Sequence, residues 1–328
     1  MSSSRVRILE LFRSRSDGYL SGEEICRDLG ISRTAVWKQI GQLRELGYDI
    51  EAVPSKGYAL RATPDTLIPS EVKTGLGTDI VGLDVIFLEK TDSTNLQARV
   101  LAEQGAEQGT VVIADQQTSG KGRLGRFWVS PAGINLYLSI ILRPSIELPQ
   151  ATQLTFLTAV AVAEAIETCA DFQPQLKWPN DVLLNGKKVA GLLNELNAET
   201  EQIHFMILGI GVNLNMPPEL FPTDLRTPAT SLLIEGGRVI SRLDFTRSLL
   251  RSTDRLYRLY LESGFSPILA AWEGRCQMIG RKVEVDYQHS RVSGTVTGLD
   301  ETGALLLRLA SGSQERVLAG DVKLMDKD

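Results

Sequence analysis

The sequence predicts an α+β protein with several domains: an N-terminal helix-turn-helix with a hairpin wing, a central domain of mixed α/β structure, and a small C-terminal β-barrel. Apolar residues at helical spacing mark the start of the chain, helical and strand-like segments then alternate, and short strands with tight turns end it. The predicted limits are residues 1–62 for the first domain, 63–70 for a linker, 71–273 for the central domain and 274–328 for the barrel.

The first domain carries the start and stop signals of helices. Ser21 and Glu24 form a Ser-x-x-Glu capping box at the start of the second helix, which Gly30 ends. Ser32 caps the third helix, Gly47 ends it, and a strand-turn-strand pattern follows. The helix pair and the wing together favour DNA binding, because polar side chains on the third helix can reach phosphates and base edges. The residues predicted to do so are Arg33, Thr34, Lys38, Gln39, Gln42 and Arg44.

Composition bounds the partners of the chain. Its 328 residues are 43% hydrophobic and 23% charged, and no window approaches the roughly 20 apolar residues of a membrane helix. We therefore expect a cytoplasmic protein with no membrane partner. Residues 1–62 are only mildly basic, with ten Lys and Arg against eight Asp and Glu, so a small protein-binding module is the alternative to a DNA-binding one. Three cysteines and two histidines favour neither disulfides nor zinc.

The segment 117–128 combines three glycines, three cations and a tryptophan within twelve residues. Glycines let backbone N–H groups approach a ligand, cations neutralise phosphate or carboxylate oxygens, and an indole can stack on a base. The segment therefore predicts a site for an anionic ligand. Residues 120–125 match Gly-x-Gly-x-x-Gly, but Pro131 and Gly133 follow where a dinucleotide-binding fold needs a helix, and no Gly-Lys-Ser/Thr completes a P-loop.

We expect three other polar clusters to converge on this segment. Residues 91–95 end a strand and begin a helix, so their hydroxyls either cap that helix or bind a polar ligand. Residues 177–181 place a cation, an indole, an amide and a carboxylate at a proline-stiffened turn, and residues 209–215 end a buried strand with two glycines and two amides. The sequence offers no Ser-His-Asp set, so we expect the substrate to supply the nucleophile. A carboxylate attacking an α-phosphate needs charge neutralisation, alignment and a metal ion.

The order of these motifs resembles that of the biotin protein ligases. The motifs that carry the resemblance are Ser93-Thr94-Asn95, the segment 117–128, Lys177-Trp178-Pro179-Asn180-Asp181, Lys188-Val189-Ala190-Gly191 and Gly211-Val212-Asn213. With the flanking domains, the layout is similar to that of the bifunctional biotin ligases that also repress the biotin operon, whose C-terminal barrel is SH3-like. Lys121 stands where the family often has arginine, and Leu124 and Phe127 stand where some members are charged.

The resemblance implies an ATP- and Mg²⁺-dependent enzyme that forms biotinyl-5′-AMP and transfers biotin to one lysine of a biotin carboxyl carrier protein. It also implies that biotinyl-5′-AMP acts as a corepressor and that a ligand-bound homodimer binds operator DNA of biotin-synthesis genes. A lipoate-type ligase, which shares the catalytic fold, is one alternative. A transcription regulator that senses a nucleotide-like ligand without ligating it is the other.

The resemblance also implies roles for individual residues. Those implied to bind biotin are Ser93, Thr94, Asn95, Gln117, Gly120, Lys121, Arg123 and Lys188. Those implied to bind ATP or the adenylate are Arg126, Trp128, Lys177, Asn180, Asp181 and Asn213. Lys177, Arg123 and Lys188 are implied to be catalytic, and Asp181 to bind magnesium.

Overall fold

The computed structural model describes residues 3–14, 18–199, 202–225, 227–287 and 290–325. They fall into two compact units, Met1–Thr66 and Leu67–Asp328. Leu67 is fully buried in the core of the larger unit, and a short helix begins there at Pro69. The predicted linker of residues 63–70 therefore extends into the larger unit.

The smaller unit is a helix-turn-helix followed by a two-stranded antiparallel hairpin. Its elements are α1 (Ser3–Arg13), α2 (Gly22–Leu29), α3 (Arg33–Glu45), β1 (Asp49–Val53) and β2 (Gly57–Ala62). Each helix buries an isoleucine in a common core, namely Ile8, Ile25 and Ile40. Both bonds of the predicted capping box form: Ser21 Oγ accepts from Glu24 N at 3.2 Å, and Glu24 Oε2 accepts from Ser21 N at 2.9 Å. The predicted helices and hairpin are confirmed.

The larger unit is built around a seven-stranded mixed sheet and ends in a five-stranded antiparallel sheet. Its helices are α4 (Pro69–Lys73), α5 (Thr94–Glu103), α6 (Gln153–Ala170), α7 (Leu232–Gly236), α8 (Arg242–Ser263) and α9 (Ser266–Glu273). The strands of the large sheet are β3 (Val85–Thr91), β4 (Val111–Gln117), β5 (Leu136–Leu142), β6 (Gln175–Lys177), β7 (Asp181–Leu184), β8 (Lys187–Glu199) and β9 (Gln202–Val212).

Strand order in the large sheet is β3-β4-β5-β9-β8-β7-β6. Strands β3 and β4 are parallel, and the other neighbours are antiparallel. The predicted α+β class is confirmed. The sequence pattern predicts strands over residues 84–88, 110–114, 135–142, 175–178, 191–196 and 205–211 and helices over 94–104, 154–169, 242–263 and 266–273, so α4, α7 and β7 are additions. Strand β7 was not expected because it contains only four residues and directly follows the turn at Pro179.

Helix α6 is the core helix of the larger unit. Its side chains are mostly apolar, and Leu154, Leu157 and Ile166 are fully buried. The sequence analysis expected no such segment, but in the part of the chain that the structure describes Leu148–Ala170 is long and apolar enough to cross a membrane, and 72% of its most apolar window is buried inside the protein. Burial accounts for its composition, because a helix that is hydrophobic all round is covered on most sides.

The small sheet comprises β10 (Lys282–Tyr287), β11 (Ser290–Leu299), β12 (Leu305–Arg308), β13 (Gln314–Val317) and β14 (Asp321–Leu324). Its order is β13-β12-β11-β10-β14. The sequence pattern predicts one strand over residues 315–324, and this is wrong. The chain forms two strands there because it turns before β14, where Gly320 has a φ of 150°. The antiparallel sheet is confirmed, and its closure into an SH3-like barrel stays a prediction.

The small sheet shares a hydrophobic core with the large one. The indole of Trp178 is buried, and its Nε1 donates a hydrogen bond to Gly303 O at 3.0 Å. The ring of Phe156 packs where Gly303 lacks a side chain, and it meets Trp272 edge to face at 5.3 Å between ring centroids. The central domain and the barrel therefore form one compact unit, and a limit between them at residue 274 stays a prediction.

Candidate active site

A cavity of about 900 Å³ lies in the larger unit, between the central strands, the segment 120–128 and the small sheet. Its volume is within the range of small-molecule sites. The lining includes all the residues to which the sequence resemblance gave a role in binding biotin or nucleotide, with the exception of Gly120. The structure thus brings together side chains that are more than 100 positions apart in the chain, such as Ser93 and Asn213.

One end of the cavity is lined by buried hydroxyl and amide groups. Thr94 N donates to Gln117 Oε1 at 2.8 Å, and Gln117 Nε2 donates to Ser130 Oγ at 3.0 Å. Ser130 Oγ in turn donates to Trp128 O at 2.9 Å. Ser93 directly precedes α5, but its side chain makes no capping hydrogen bond to that helix. Helix capping therefore does not account for a serine at this position. This end can therefore offer both donors and acceptors to a small polar ring.

Asn95 occupies a fixed position beside these groups. Its Nδ2 donates to Leu193 O at 3.0 Å and to Glu195 Oε2 at 2.8 Å, and its Oδ1 accepts from Ser139 Oγ at 2.6 Å. A Cβ atom on Gly209 would overlap Asn95 Oδ1, so the amide can lie against β9 only because residue 209 is glycine. Both polar atoms of the Asn95 side chain thus have hydrogen-bond partners in the protein.

The segment 120–128 folds back on itself over the cavity. Trp128 N donates to Gly120 O at 2.9 Å, and Gly122 N donates to Arg126 O at 2.7 Å. A Cβ atom on Gly120 would come within 2.5 Å of Trp128 O, which explains the glycine there. Leu124, at the tip, has a φ of 57° and an exposed side chain. Local backbone bonds hold this loop, while its tip faces solvent.

The indole of Trp128 lies over two glycines that are paired across strands β8 and β9. A Cβ atom on Gly191 or Gly211 would come within 2.9 or 2.6 Å of the ring. Trp128 Nε1 is buried and has no hydrogen-bond partner among the described residues. Lys188 Nζ lies 5.5 Å from the ring centroid. The cavity thus holds a flat aromatic group beside a cation and an unsatisfied N–H donor.

The side chains of the turn at residues 177–181 have two roles. Lys177, Asn180 and Asp181 line the cavity, and Trp178, which also lines it, anchors the turn to Gly303 between β11 and β12. Asn180 Nδ2 donates to Leu192 O at 2.6 Å, which fixes the amide against β8. The turn contains a cis peptide bond between Trp178 and Pro179. The hydrogen bond from Trp178 to Gly303 therefore helps to hold the polar residues of the turn in place.

Lys188 and Asp181 form an ion pair in the cavity, with Nζ 2.5 Å from Oδ1. Neither side chain is more than a quarter exposed, at 24% and 17%. Among the described residues, no group of three or more His, Cys, Asp or Glu side chains could hold a metal ion by itself. Asp181 can provide one oxygen ligand, which suits Mg²⁺ only if phosphate oxygens of a nucleotide provide others.

Asn213 lines the cavity and joins it to a later loop. Its Nδ2 donates to Thr230 O at 3.1 Å, and its backbone N donates to Val189 O at 2.9 Å. Thr230 N donates to Lys188 O at 2.9 Å. The loop after β9 is thereby held beside Lys188, and Pro228 and Ala229 in it also line the cavity.

Helix α3 in the smaller unit exposes most of the side chains predicted to contact DNA. Arg33, Thr34 and Lys38 are exposed, and Gln39 and Gln42 are partly buried. Arg44 differs, because its guanidinium donates to Ile50 O through Nε at 2.9 Å and Nη2 at 2.5 Å.

The face of α3 also carries Trp37, whose side chain is 69% exposed. Sequence reasoning missed this residue, although a tryptophan among polar residues of such a helix was a visible signal.

Comparisons with known proteins agree with both units. Residues 87–213 match the biotin/lipoate A/B protein ligase family, residues 5–59 match the HTH domain, and residues 278–325 match the biotin protein ligase C terminal domain. The bifunctional ligase/repressor BirA of Bacillus subtilis is 41% identical over 98% of this chain and 99% of its own. The chain belongs to the biotin protein ligase family. The bifunctional ligase/repressor BirA of Escherichia coli is 32% identical over 93% of this chain and 92% of its own.

A solved structure is also similar in fold to this ligase-family chain. The biotin protein ligase from Aquifex aeolicus, in complex with biotin and ATP, is 31% identical and superposes with a TM-score of 0.65. The superposition covers 75% of this chain and 100% of the Aquifex aeolicus chain.

Contacts from the small sheet are the part of this ligase-family site that sequence reasoning missed. Arg123 Nη1 donates to Asn180 Oδ1 at 3.0 Å, and its Nη1 and Nη2 each lie 3.5 Å from Gly320 O. Arg126 forms an ion pair with Asp321. Burial lowers the pKa of the Arg123 guanidinium, whereas the hydrogen bond to Asp321 raises that of Arg126. No local pattern could reveal the contacts with Gly320 and Asp321, because these two residues are at least 195 positions from their partners.

Proposed function

We propose that this protein activates biotin with ATP, transfers the biotinyl group to a lysine of a biotin carboxyl carrier protein, and represses transcription when biotinyl-5′-AMP is bound. One observation carries the catalytic part of the proposal. Hydroxyl and amide groups line one end of a single cavity, and cations cluster around the Lys188–Asp181 pair in the same cavity. Trp128 lies between the loop 120–128 and strands β8 and β9. That arrangement matches a ligand that is a polar ring at one end and a nucleoside phosphate at the other.

The hydroxyl and amide end would bind the ureido ring of biotin. Ser93, Thr94 and Gln117 supply hydrogen-bonding groups there, and Gly120 lets the loop backbone come close. Lys121 is exposed and lies on the same loop, where either its backbone or its ammonium group could contact the ligand. Asn95 would act through its neighbours, because its amide is already bound to protein groups.

The cationic centre would promote formation of the adenylate. A carboxylate oxygen of biotin attacks the α-phosphorus of ATP, a new P–O bond forms, and the bond to pyrophosphate breaks. Both reactants are anionic, so Lys177, Lys188 and Arg123 would lower the barrier by neutralising charge that concentrates at the α-phosphate. Lys188 would exchange its contact with Asp181 for one with the substrate.

The second step would use the same centre. The amine of the carrier lysine attacks the acyl carbon of biotinyl-5′-AMP, the acyl–oxygen bond breaks, and AMP leaves with its negative charge held by the cations. The lysine loses a proton and an amide bond remains. Placing both steps in one cavity shields the mixed anhydride from water between them.

The nucleotide would lie between Trp128 and the loops that follow β6 and β9. Trp128 would stack on the adenine, Asn180 and Asn213 would contact the base or ribose, and Arg126 would hold phosphate charge. Asp181 would bind Mg²⁺ together with phosphate oxygens, and the ion would supply further charge neutralisation. The buried Nε1 of Trp128, for which the described part of the chain provides no acceptor, supports a ligand here, since an unsatisfied donor is costly unless something binds it.

The smaller unit would bind operator DNA of biotin-synthesis genes. Its helix-turn-helix, the exposed cations of α3 and the match to ligase/repressor relatives over nearly the whole chain support this role. We propose that biotinyl-5′-AMP is the corepressor and that the ligand-bound form is a homodimer, because two-fold symmetric proteins read two half-sites.

Pyrophosphate release tests the catalytic proposal. We expect release with biotin and ATP in the presence of Mg²⁺, little with lipoate, and none without a carboxylic acid substrate. Release with lipoate alone would favour the lipoate-type ligase, and release with neither would favour a ligand-sensing regulator. A gel-shift assay with DNA upstream of biotin-synthesis genes tests repression: a specific complex should form with biotin plus ATP and weaken without them.

A further inference from the structure

We propose that Ser139 and Asn95 are positioning residues that hold the Thr94 hydroxyl as a hydrogen-bond acceptor toward the cavity. In that state the pocket selects a ligand with an N–H group at this position. The inference rests on the proposed function, because it concerns how the cavity would recognise the ureido ring. It adds to that function a row of hydrogen bonds from Asn95 through Ser139 to Thr94, which we call the relay. The relay lies beneath the site, because Ser139 is fully buried and is not among the residues that line the cavity.

The relay is built across three neighbouring strands. Ser139 on β5 pairs with Gly209 on β9, which pairs with Leu193 on β8. The side chain of Asn95, from the first turn of α5, lies over this row. It bonds to the strand on either side, to Ser139 Oγ at 2.6 Å and to Leu193 O at 3.0 Å. The missing side chain of Gly209 makes the space for the amide.

The surroundings of Asn95 fix which way its amide faces. Its Nδ2 lies near Leu193 O and Glu195 Oε2, at 3.0 and 2.8 Å, and both of these atoms can only accept. The amide nitrogen must therefore face them, and Oδ1 must face Ser139. Arg99, whose Nη2 lies 3.7 Å from Glu195 Oε1, balances the charge of that carboxylate. The amide is consequently held in one orientation.

The direction of each hydroxyl follows from that orientation. Asn95 Oδ1 can only accept, so Ser139 spends its single hydrogen on it. Ser139 Oγ also lies 2.8 Å from Thr94 Oγ1, in a contact whose geometry suits Ser139 as the donor. Because the one hydrogen of Ser139 is given to Asn95, we assign the donor's part in this contact to Thr94. Thr94 therefore directs its hydrogen at Ser139 rather than at the more distant Gln117 Oε1, at 3.2 Å. Thr94 and Gln117 then place two acceptor oxygens side by side.

The resulting pair of oxygens can be bridged by one N–H of a ligand. Gln117 Oε1 accepts from Thr94 N and keeps a second lone pair, and Gln117 Nε2 gives one hydrogen to Ser130 and keeps another. A cyclic urea offers N–H donors beside a carbonyl acceptor and so matches this set. A ring with an oxygen in place of that N–H would bring an acceptor against two acceptors, which hydrogen-bonding sites reject strongly.

The test compares biotin with its two isomeric cyclic carbamate analogues, in each of which one ring N–H is replaced by oxygen. Pyrophosphate release gives kcat and KM for each substrate. The wild-type protein should prefer biotin strongly over at least one carbamate. In Ser139→Ala the Thr94 hydrogen is free to turn, so the ratio of kcat/KM values should fall at least about tenfold. The loss should appear mainly as a higher KM for biotin, with kcat little changed.

Further variants separate polarity from packing. Asn95→Leu should reduce the preference as Ser139→Ala does, and Ser139→Cys, which keeps a weaker donor, should give an intermediate value. Thr158→Val is the matched control, since Thr158 is a buried residue whose hydroxyl bonds to Leu154 O within α6 at 2.7 Å. It should keep the wild-type preference. Thermal unfolding confirms that each variant is folded.

Two outcomes overturn different statements. A wild-type protein that releases no pyrophosphate with biotin contradicts the proposed function. An active wild-type protein whose preference is the same in folded Ser139→Ala and Asn95→Leu contradicts the relay alone.

Discussion

The indole nitrogen of Trp128 lies against Gly211, so closely that a methyl group on Gly211 would come within 2.6 Å of it. Trp128 belongs to the cationic loop and Gly211 to the end of β9, so this contact joins the loop to the central sheet. Side chains larger than hydrogen at residue 211 would push the indole away. The glycines of Gly209-Ile210-Gly211 thus have separate purposes, one making room for Asn95 and the other for Trp128.

We predict that Gly211→Ala weakens retention of biotinyl-5′-AMP. The added methyl group displaces the indole that we expect to stack on adenine. Because misplacement of a group by about 1 Å can have effects of this size, we expect the adenylate to dissociate roughly 10–100-fold faster. The measurement is the dissociation rate of radiolabelled biotinyl-5′-AMP. Gly41→Ala is the control, since Gly41 lies in α3 and, apart from the backbone of that helix, no described atom lies within 4 Å of an added Cβ. It should leave the rate unchanged and raise stability by at most about 1 kcal/mol.

Arg123→Ala and Lys177→Ala should affect different steps. Arg123 is partly buried and bonded to Asn180, so its loss should chiefly accelerate dissociation of the adenylate. Lys177→Ala should chiefly slow formation of the adenylate, by about 2.7–4 kcal/mol in activation free energy if its ammonium group acts on the α-phosphate. Single-turnover formation and dissociation rates distinguish the two. Equal effects of both variants on both rates would contradict these assignments.

Lys38→Ala and Arg44→Ala should have different effects on the DNA-binding unit. Lys38 is exposed on α3, so its loss should weaken binding to any sequence and lower the salt slope by about 1. Arg44 donates two hydrogen bonds to Ile50 O, so Arg44→Ala should also lower the stability of the smaller unit. Fluorescence anisotropy at several salt concentrations and thermal unfolding provide the measurements. A salt slope unchanged by Lys38→Ala would remove this residue from the DNA interface.

Asp300 should make the larger unit sensitive to acid. Burial alone would raise the pKa of its carboxyl, but bonds from Arg316, Thr302 and Ala304 N outweigh burial and lower the pKa from 3.8 to about 2. Because the folded pKa is the lower one, the stabilisation is present above pH 3.8 and is lost as the pH falls toward 2. At pH 7 it corresponds to about 2 kcal/mol.

Asp300→Asn tests this dependence. The variant should have a lower free energy of unfolding than the wild type at neutral pH, and the difference should shrink between pH 5 and pH 3. Urea unfolding across that range gives the measurement. A difference that stays constant with pH would mean that the charge of Asp300 is not what stabilises this turn.

The sequence was most informative where a local signal coincided with a local cause. The capping box at Ser21 and the left-handed glycine at Gly30 formed as predicted, because caps depend on residues within one turn. The polar clusters around the cavity were also visible, because unusual mixtures of glycine, cations and amides have few structural explanations. Strand β7 and the split between β13 and β14 were not visible, because such short strands depend on their neighbours in the sheet.

What the sequence determined by itself was the order of the domains, most of their helices and strands, and the polar clusters that line one cavity. What only the tertiary structure decided was how those residues are used. It placed Trp128 over Gly191 and Gly211, bound Asn95 to Ser139 and Leu193, and brought Asp321 to Arg126. The reason is physical: composition and spacing fix local backbone preferences, whereas hydrogen-bond direction and ion pairing depend on atoms that meet only when distant strands pack together.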